Sequence, residues 1–199
     1  MLDRLRGRLG SVLVSLGKVF AAFGLSPSVW TAVGFVFALF AAGGFSLAGY
    51  RGEFQGGLLI LGSGFFDIVD GAVARVTNKV SKAGSFLDST FDRAAEVAIF
   101  GGILLGNYTS PIVVLLSLSL SLLVSYTRAK GDALGVSLSG VGIGERSERL
   151  VVLAVGSLLG VVDLGVFAVL LMAGYTFLER SFRATRALSR ADQPTPPPH

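Results

Sequence analysis

The feature that most constrains this chain is a series of apolar stretches, each long enough to cross a lipid bilayer as a helix. A transmembrane helix needs about 20 consecutive apolar residues. Charged residues make up only 15% of the sequence and hydrophobic residues 52%, with a mean hydropathy of +0.70, whereas soluble domains carry about 25% charged residues. We therefore predict an all-α integral membrane protein with six transmembrane helices. The predicted spans are roughly 28–50, 55–75, 84–106, 111–131, 149–162 and 164–183.

The basic residues indicate the orientation of these spans. Six alternating spans place the N-terminus, two of the loops and the C-terminus on one side. Of the 17 Lys and Arg residues, all but Arg51 fall on that side. Lys and Arg are enriched in cytoplasmic loops, so we expect a multi-pass protein of the cell membrane with both termini in the cytoplasm. Because topology accounts for the net charge of +4, we expect no nucleic-acid partner.

The two ends of the chain have patterns of their own. Residues 1–25 carry apolar side chains at spacings of three and four with arginines between them, which is typical of an amphipathic helix on a membrane surface. We divide the chain into this juxtamembrane helix, a transmembrane domain over 26–186, and a proline-rich tail over 187–199 that we predict to be disordered. The sequence has no cysteine, so disulfides and thiolate metal sites are excluded.

Four aspartates lie between positions 67 and 92, beside apolar segments where a carboxylate is costly without a partner. At 100° per residue, two of them share a face with small residues on one predicted helix, and the other two share a face on the next. A short loop joins these helices, so both faces can meet at the cytoplasmic end. The residues are Asp67, Asp70, Gly71 and Ala74 on the first helix, and Gly84, Asp88 and Asp92 on the second.

Four carboxylates without thiols or imidazoles form an all-oxygen site, which suits Mg²⁺, Mn²⁺ or Ca²⁺. The alternative is that these acids form salt bridges with Arg75, Lys79 and Arg93 at the helix ends. The small residues on the same faces favour a bound ligand, because glycine lets another group approach the backbone closely. A salt bridge needs no such space.

The spacing of this segment resembles the signature of the CDP-alcohol phosphotransferases. It reads Asp67-x-x-Asp70-Gly71-x-x-Ala74-Arg75, then eight residues, then Gly84-x-x-x-Asp88-x-x-x-Asp92. The resemblance implies a membrane enzyme with six spans that displaces CMP from a CDP-linked lipid with an alcohol. It also implies a homodimer surrounded by membrane lipids.

The resemblance further implies roles for individual residues. The metal ligands would be Asp67, Asp70 and Asp88, with Asp92 completing a site for one or two Mg²⁺ or Mn²⁺ ions. Asp92 would also act as the base that takes the proton of the acceptor hydroxyl. The implied nucleotide-binding residues are Thr31, Asp67, Asp70, Gly71, Ala74, Arg75 and Gly84.

Five basic residues could converge near the aspartates and bind the phosphate of a phosphorylated acceptor. They are Arg128, Lys130, Arg146, Arg149 and Arg180. The segments "SYTRAK" and "GERSERL" resemble the subgroup that uses inositol 1-phosphate, the phosphatidylinositol-phosphate and archaetidylinositol-phosphate synthases. Glycerol 3-phosphate is the alternative acceptor, since it also requires cations. The lipid tails, diacyl or archaeal dialkyl, are left open by the sequence.

Two further classes use acids within a membrane. A transporter would place them along an ion path, whereas here they cluster at one end of the helices. An intramembrane prenyltransferase also uses paired aspartates with Mg²⁺, but its acidic motifs lie on well-separated helices.

Overall fold

The computed structural model describes the backbone of residues 2–191 and the side chains of residues 10–190. Within that range α-helices are the only regular secondary structure, and loops join them. The seven helices are α1 (Leu2–Ala21), α2 (Pro27–Ser46), α3 (Gly49–Val76), α4 (Lys82–Leu105), α5 (Pro111–Ala133), α6 (Arg146–Leu158) and α7 (Val162–Ala191).

Four of these helices, α2, α3, α5 and α7, are long and apolar enough to cross a membrane, so the chain is a multi-pass membrane protein. The two remaining helices of the predicted six depart from a simple span. The first 15 residues of α4 carry several charged residues, among them Asp88, Asp92 and Glu96. α6 has only 13 residues, which at 1.5 Å per residue is about 20 Å, less than the hydrocarbon thickness of a bilayer.

Helices α2 to α7 form a closed ring. α2 packs against α3 and α4, α6 packs between α3 and α7, and α5 packs between α7 and α4. Small residues allow the closest contacts: a Cβ added to Gly102 of α4 would collide with the backbone oxygen of Ala42 on α2. The main hydrophobic core includes Phe45, Ile99 and Leu153, each fully buried.

Helix α1 packs against α3 outside this ring. A Cβ on Gly17 would lie 2.7 Å from the backbone oxygen of Ala72, so the two helices approach closely there. Phe20 makes edge-on contact with Trp30, which stacks on Phe66. The apolar side of the predicted amphipathic helix is therefore partly covered by protein.

Several helix boundaries differ from the predicted spans. α2 ends at Ser46 and α3 begins at Gly49, so Arg51 lies inside a helix where we predicted a loop. The turn is this short because Ala48 and Gly49 both adopt positive φ, at 57° and 70°. α6 begins at Arg146, three residues before the predicted start, because Glu145 and Glu148 form a capping box there.

The C-terminal boundary also differs. α7 continues to Ala191, so the first five residues of the predicted disordered tail are helical. The remaining residues, 192–199, lie outside the described part of the chain.

Candidate active site

Three of the four aspartates meet where α3 and α4 face each other. One carboxylate oxygen from each of Asp67, Asp70 and Asp88 lies within 4.8 Å of the others. Thr31 of α2 donates a hydrogen bond of 2.6 Å to Asp70 Oδ2, so a third helix orients the group. The convergence that helical spacing predicts is therefore present for these three residues, which we call the aspartate triad.

The aspartate triad fits a hard divalent cation. All three donors are carboxylate oxygens, which Mg²⁺, Mn²⁺ and Ca²⁺ prefer. Asp88 Oδ1 is buried and has no hydrogen-bond partner among the described residues. Since a buried carboxylate oxygen without a partner is costly, a cation there would stabilise it.

Asp92 is arranged differently from the triad. Its Oδ1 lies 2.8 Å from Arg146 Nη1 and its Oδ2 lies 3.7 Å from Arg93 Nη1. Arg146 Nη1 also lies 3.5 Å from Asp67 Oδ2, so one guanidinium connects Asp92 with the triad. The salt-bridge alternative thus describes Asp92, and its role as a fourth metal ligand stays a prediction.

A cavity of about 470 Å³ opens beside Asp67 and Asp92. We call it the arginine cavity, because four of the five predicted acceptor-binding residues line it: Arg128, Arg146, Arg149 and Arg180. Lys130 is exposed and does not line it. Residues two apart on a helix differ in direction by about 200°, and Arg128 takes the direction towards the cavity. The role of Lys130 in binding the acceptor phosphate therefore stays a prediction.

Two of these arginines are almost completely buried, at 2% exposure each. Arg180 donates to the backbone oxygens of Val141 and Val124, at 3.0 and 3.1 Å. Arg149 donates from Nη1 to the Gly144 oxygen at 2.6 Å. Partners on several elements therefore hold both guanidinium groups at fixed positions in the cavity wall.

A second cavity, of about 280 Å³, lies on the other side of the triad. We call it the motif cavity, because six of the seven predicted nucleotide-binding residues line it: Thr31, Asp70, Gly71, Ala74, Arg75 and Gly84. The seventh, Asp67, lines the arginine cavity instead. Ser85 lines both cavities, so the two meet at the aspartates.

Sequence reasoning missed other residues of the arginine cavity. Ser85, Ser89, Arg93 and Asp132 also line it. The signal for Ser85 and Ser89 was their position on α4 three residues before Asp88 and Asp92, and Arg93 follows Ser89 by four residues, because residues three or four apart share a helix face. Asp132, one turn beyond Arg128 on α5, had the same kind of signal.

Comparison with known proteins agrees with this geometry. The sequence model of the family described as CDP-alcohol phosphatidyltransferase matches residues 18–179. The archaetidylinositol phosphate synthase of Pyrococcus horikoshii is 36% identical over 188 residues, which are 94% of this chain and 98% of the relative. The phosphatidylinositol phosphate synthase of Streptomyces avermitilis is 39% identical over 145 residues, 67% of this chain and 58% of the relative.

The fold also resembles a solved structure. The crystal structure of the phosphatidylinositol phosphate synthase of Mycobacterium tuberculosis with CDP-DAG bound has a TM-score of 0.79, covers 94% of this chain and 100% of its own, and is 24% identical. The same enzyme in complex with manganese and citrate gives the same TM-score. At that identity the likeness concerns the fold, while the matches of sequence over most of the chain show that it belongs to the CDP-alcohol phosphatidyltransferase family.

Proposed function

We propose that this enzyme transfers the phosphatidyl-type group of a CDP-linked lipid to inositol 1-phosphate and releases CMP. The observation that carries the proposal is the meeting of two unlike cavities at the aspartates, one lined by small residues and one by arginines. The curated relatives of Pyrococcus horikoshii and Streptomyces avermitilis, an archaetidylinositol and a phosphatidylinositol phosphate synthase, support the choice of acceptor.

The motif cavity suits the nucleotide end of the donor. Gly71, Ala74 and Gly84 leave space at its wall, and glycine permits close approach to the backbone. Arg75 lines the same cavity, where its guanidinium would orient a phosphate.

A separate apolar cavity suits a lipid chain of the donor. It has a volume of about 280 Å³, lies between α3 and α6, and is lined by Ile60, Phe65 and Leu150 among others. Asp67 and Arg146 stand at its polar end. A lipid chain placed there would bring the adjoining phosphate to the aspartates.

Asp67, Asp70 and Asp88 would hold a divalent cation, Mg²⁺ or Mn²⁺, and Asp92 would complete a site for a second ion. When bound, the cation would neutralise charge on the diphosphate of the donor. The three carboxylates would fix the position of the cation, and the hydrogen bond from Thr31 orients Asp70 for this role.

The arginine cavity suits the phosphate of the acceptor. Arg128, Arg146, Arg149 and Arg180 line it together, and guanidinium groups bind phosphate through paired hydrogen bonds. Glycerol 3-phosphate carries the same kind of phosphate, so this cavity alone does not select inositol.

Asp92 is the residue that we propose as the base. It stands in the wall of the arginine cavity beside Asp67, between the positions proposed for acceptor and donor. There its carboxylate would take the proton of the acceptor hydroxyl as that oxygen bonds to the phosphorus attached to the lipid. The bond from that phosphorus to CMP then breaks, and CMP leaves.

We further propose that all six ring helices cross the membrane, that both termini and the two cavities lie on the cytoplasmic side, and that the enzyme is a homodimer. The distribution of basic residues supports this orientation. The homodimer is what the family resemblance implies.

The test is release of CMP by purified enzyme from a CDP-linked lipid in Mg²⁺. Three acceptors are compared: inositol 1-phosphate, glycerol 3-phosphate and inositol. We expect the highest kcat/KM with inositol 1-phosphate and none above background with inositol, because the arginines require a phosphate. A preference for glycerol 3-phosphate would overturn the choice of acceptor, and absence of CMP with all three would overturn the reaction.

A further inference from the structure

Glu96 is a buried acid that neither the predicted motif nor the proposed reaction uses. It lies on α4 one turn beyond Asp92 and is 1% exposed, between the core residues Ala95 and Ile99. A carboxylate buried in a membrane protein is costly unless it is paired. Glu96 therefore requires a positively charged or hydrogen-bonding partner.

The partner is Arg149, whose Nη2 lies 2.8 Å from Glu96 Oε1. The same nitrogen lies 3.5 Å from the Ser121 oxygen, and Nη1 donates to the Gly144 oxygen. Arg149 lines the arginine cavity whereas Glu96 does not. The carboxylate therefore stands behind the guanidinium, on the side away from the cavity.

The ion pair crosses the interior of the helix ring. Glu96 belongs to α4, which packs against α2 and α5, and Arg149 belongs to α6, which packs against α3 and α7. The two helices lie on opposite sides of the ring. A side chain from one wall is thus one of the partners of the guanidinium on the opposite wall.

We propose that Glu96 is a positioning residue for the acceptor: its carboxylate accepts a hydrogen bond that holds Arg149 in place for the acceptor phosphate. The inference rests on the proposed function, since it takes Arg149 as a phosphate-binding residue. Guanidinium is planar and binds phosphate with a fixed geometry, so holding its plane before binding lowers the cost of ordering it. Arg149 Nε, which has no hydrogen-bond partner among the described residues, remains as a donor.

A purely structural tie between α4 and α6 makes a different prediction. Loss of such a tie would disturb the whole ring and alter use of the donor and the acceptor together. Loss of the positioning of Arg149 would instead alter only the arginine cavity, and so only the use of the acceptor. The two roles are therefore separated by comparing KM for inositol 1-phosphate with KM for the CDP-linked lipid.

The experiment measures both constants by CMP release for Glu96→Gln and Glu96→Leu. Glutamine keeps an oxygen that accepts from Arg149, so we expect its acceptor KM to stay near that of the unchanged enzyme. Leucine keeps the volume but removes the acceptor, so we expect the KM for inositol 1-phosphate to rise about tenfold, as for a lost hydrogen bond to a charged group. The KM for the lipid should change little in both.

Glu53→Gln is the matched control. Glu53 is another carboxylate that ties two helices, since its Oε2 accepts a 3.1 Å hydrogen bond from the backbone of Val162, but it lies at the opposite end of α3 from the aspartates. We expect both constants to stay unchanged. If Glu96→Leu is not recovered folded, Glu96→Asp replaces it, because the shorter side chain withdraws the oxygen from Arg149 while keeping the charge.

A double variant tests whether Glu96 acts through Arg149. We expect Arg149→Ala with Glu96→Leu to raise the acceptor KM no further than Arg149→Ala alone. Four outcomes would each overturn the proposal. Glu96→Leu could leave the KM for the acceptor unchanged, or raise the KM for acceptor and lipid equally. The glutamine variant could be as impaired as the leucine variant, or the effects of Arg149→Ala and Glu96→Leu on the acceptor KM could add in the double variant. The same split with glycerol 3-phosphate as the better acceptor would support the positioning role while overturning the choice of inositol.

Discussion

At the scale of single residues, Arg146 links the two sides of the site. Its Nη1 lies 2.8 Å from Asp92 and 3.5 Å from Asp67, and its side chain also lines the apolar cavity. Asp67 and Asp92 would repel each other without a cation between them. Arg146 therefore lets a carboxylate that we assign to the base stand beside one that we assign to the metal.

Replacing the proposed base gives a prediction at this scale. Asp92→Asn keeps the size of the side chain but removes its ability to accept a proton. We expect kcat for CMP release to fall by about 10²- to 10⁴-fold, while thermal unfolding in detergent shows a folded protein. Asp163→Asn, an exposed aspartate in the first turn of α7, is the control and should keep its rate. Retained activity in Asp92→Asn would contradict the assignment.

Individual residues also show what the sequence could not predict. Helical spacing placed Asp67 and Asp70 on one face, because that relation depends only on 100° per residue. The pairs Asp92–Arg146 and Glu96–Arg149 join residues 54 and 53 positions apart in the chain. Such pairs depend on how each helix is rotated against the others, which the period within one helix does not determine.

At the scale of helices, α4 and α6 place the charged side chains of the site. α4 carries Asp88, Asp92 and Glu96 at one-turn spacing along one face. α6 begins with a capping box and has Arg146 and Arg149 in its first turn, so its N-terminus fixes where both arginines stand. Apolar length predicted the position of α6 only loosely, because a short helix with a charged first turn gives a weak span signal.

The contact between α1 and α3 gives a prediction at the same scale. A Cβ at Gly17 would lie 2.7 Å from the oxygen of Ala72, whereas a Cβ at Gly10 would have no atom within 4 Å. We expect Gly17→Ala to lower the free energy of unfolding by about 1–3 kcal/mol, because α1 must move away from α3. Gly10→Ala should raise it slightly, because alanine favours a helix by about 1 kcal/mol over glycine.

Thermal unfolding in detergent measures both variants. Since Ala72 is next to Gly71 of the motif cavity, the Gly17 variant should also show a higher KM for the CDP-linked lipid. Shifts of the same sign in the two variants would mean that α1 does not pack on α3 as described.

At the scale of the whole molecule, both cavities open at the end of the ring where α3 joins α4. This end is rich in basic residues, and the opposite end, at the junctions of α2 with α3 and α4 with α5, carries Arg51 alone among Lys and Arg. The ring is shared with the Mycobacterium tuberculosis enzyme at a TM-score of 0.79 although only 24% of residues are identical. The arrangement of helices thus persists while most side chains differ.

The orientation can be tested with two matched cysteines, because the chain has none of its own. Asn78 follows α3 and Asn107 follows α4, and both are exposed with positive φ, at 52° and 54°. We expect an impermeant maleimide to label Asn107→Cys in intact cells and Asn78→Cys only after lysis. Labelling in the reverse order would place the cavities outside the cell.

The central claim is that Asp67, Asp70 and Asp88 hold one divalent cation, and titration with Mn²⁺ tests it most directly. Free Mn²⁺ is followed by electron paramagnetic resonance in the unchanged enzyme, in Asp88→Asn and in the Asp163→Asn control. We expect the affinity of Asp88→Asn for Mn²⁺ to fall at least about tenfold, because one of three carboxylate ligands is lost. The affinity of the control should be unchanged. Equal affinity in all three proteins would contradict the account.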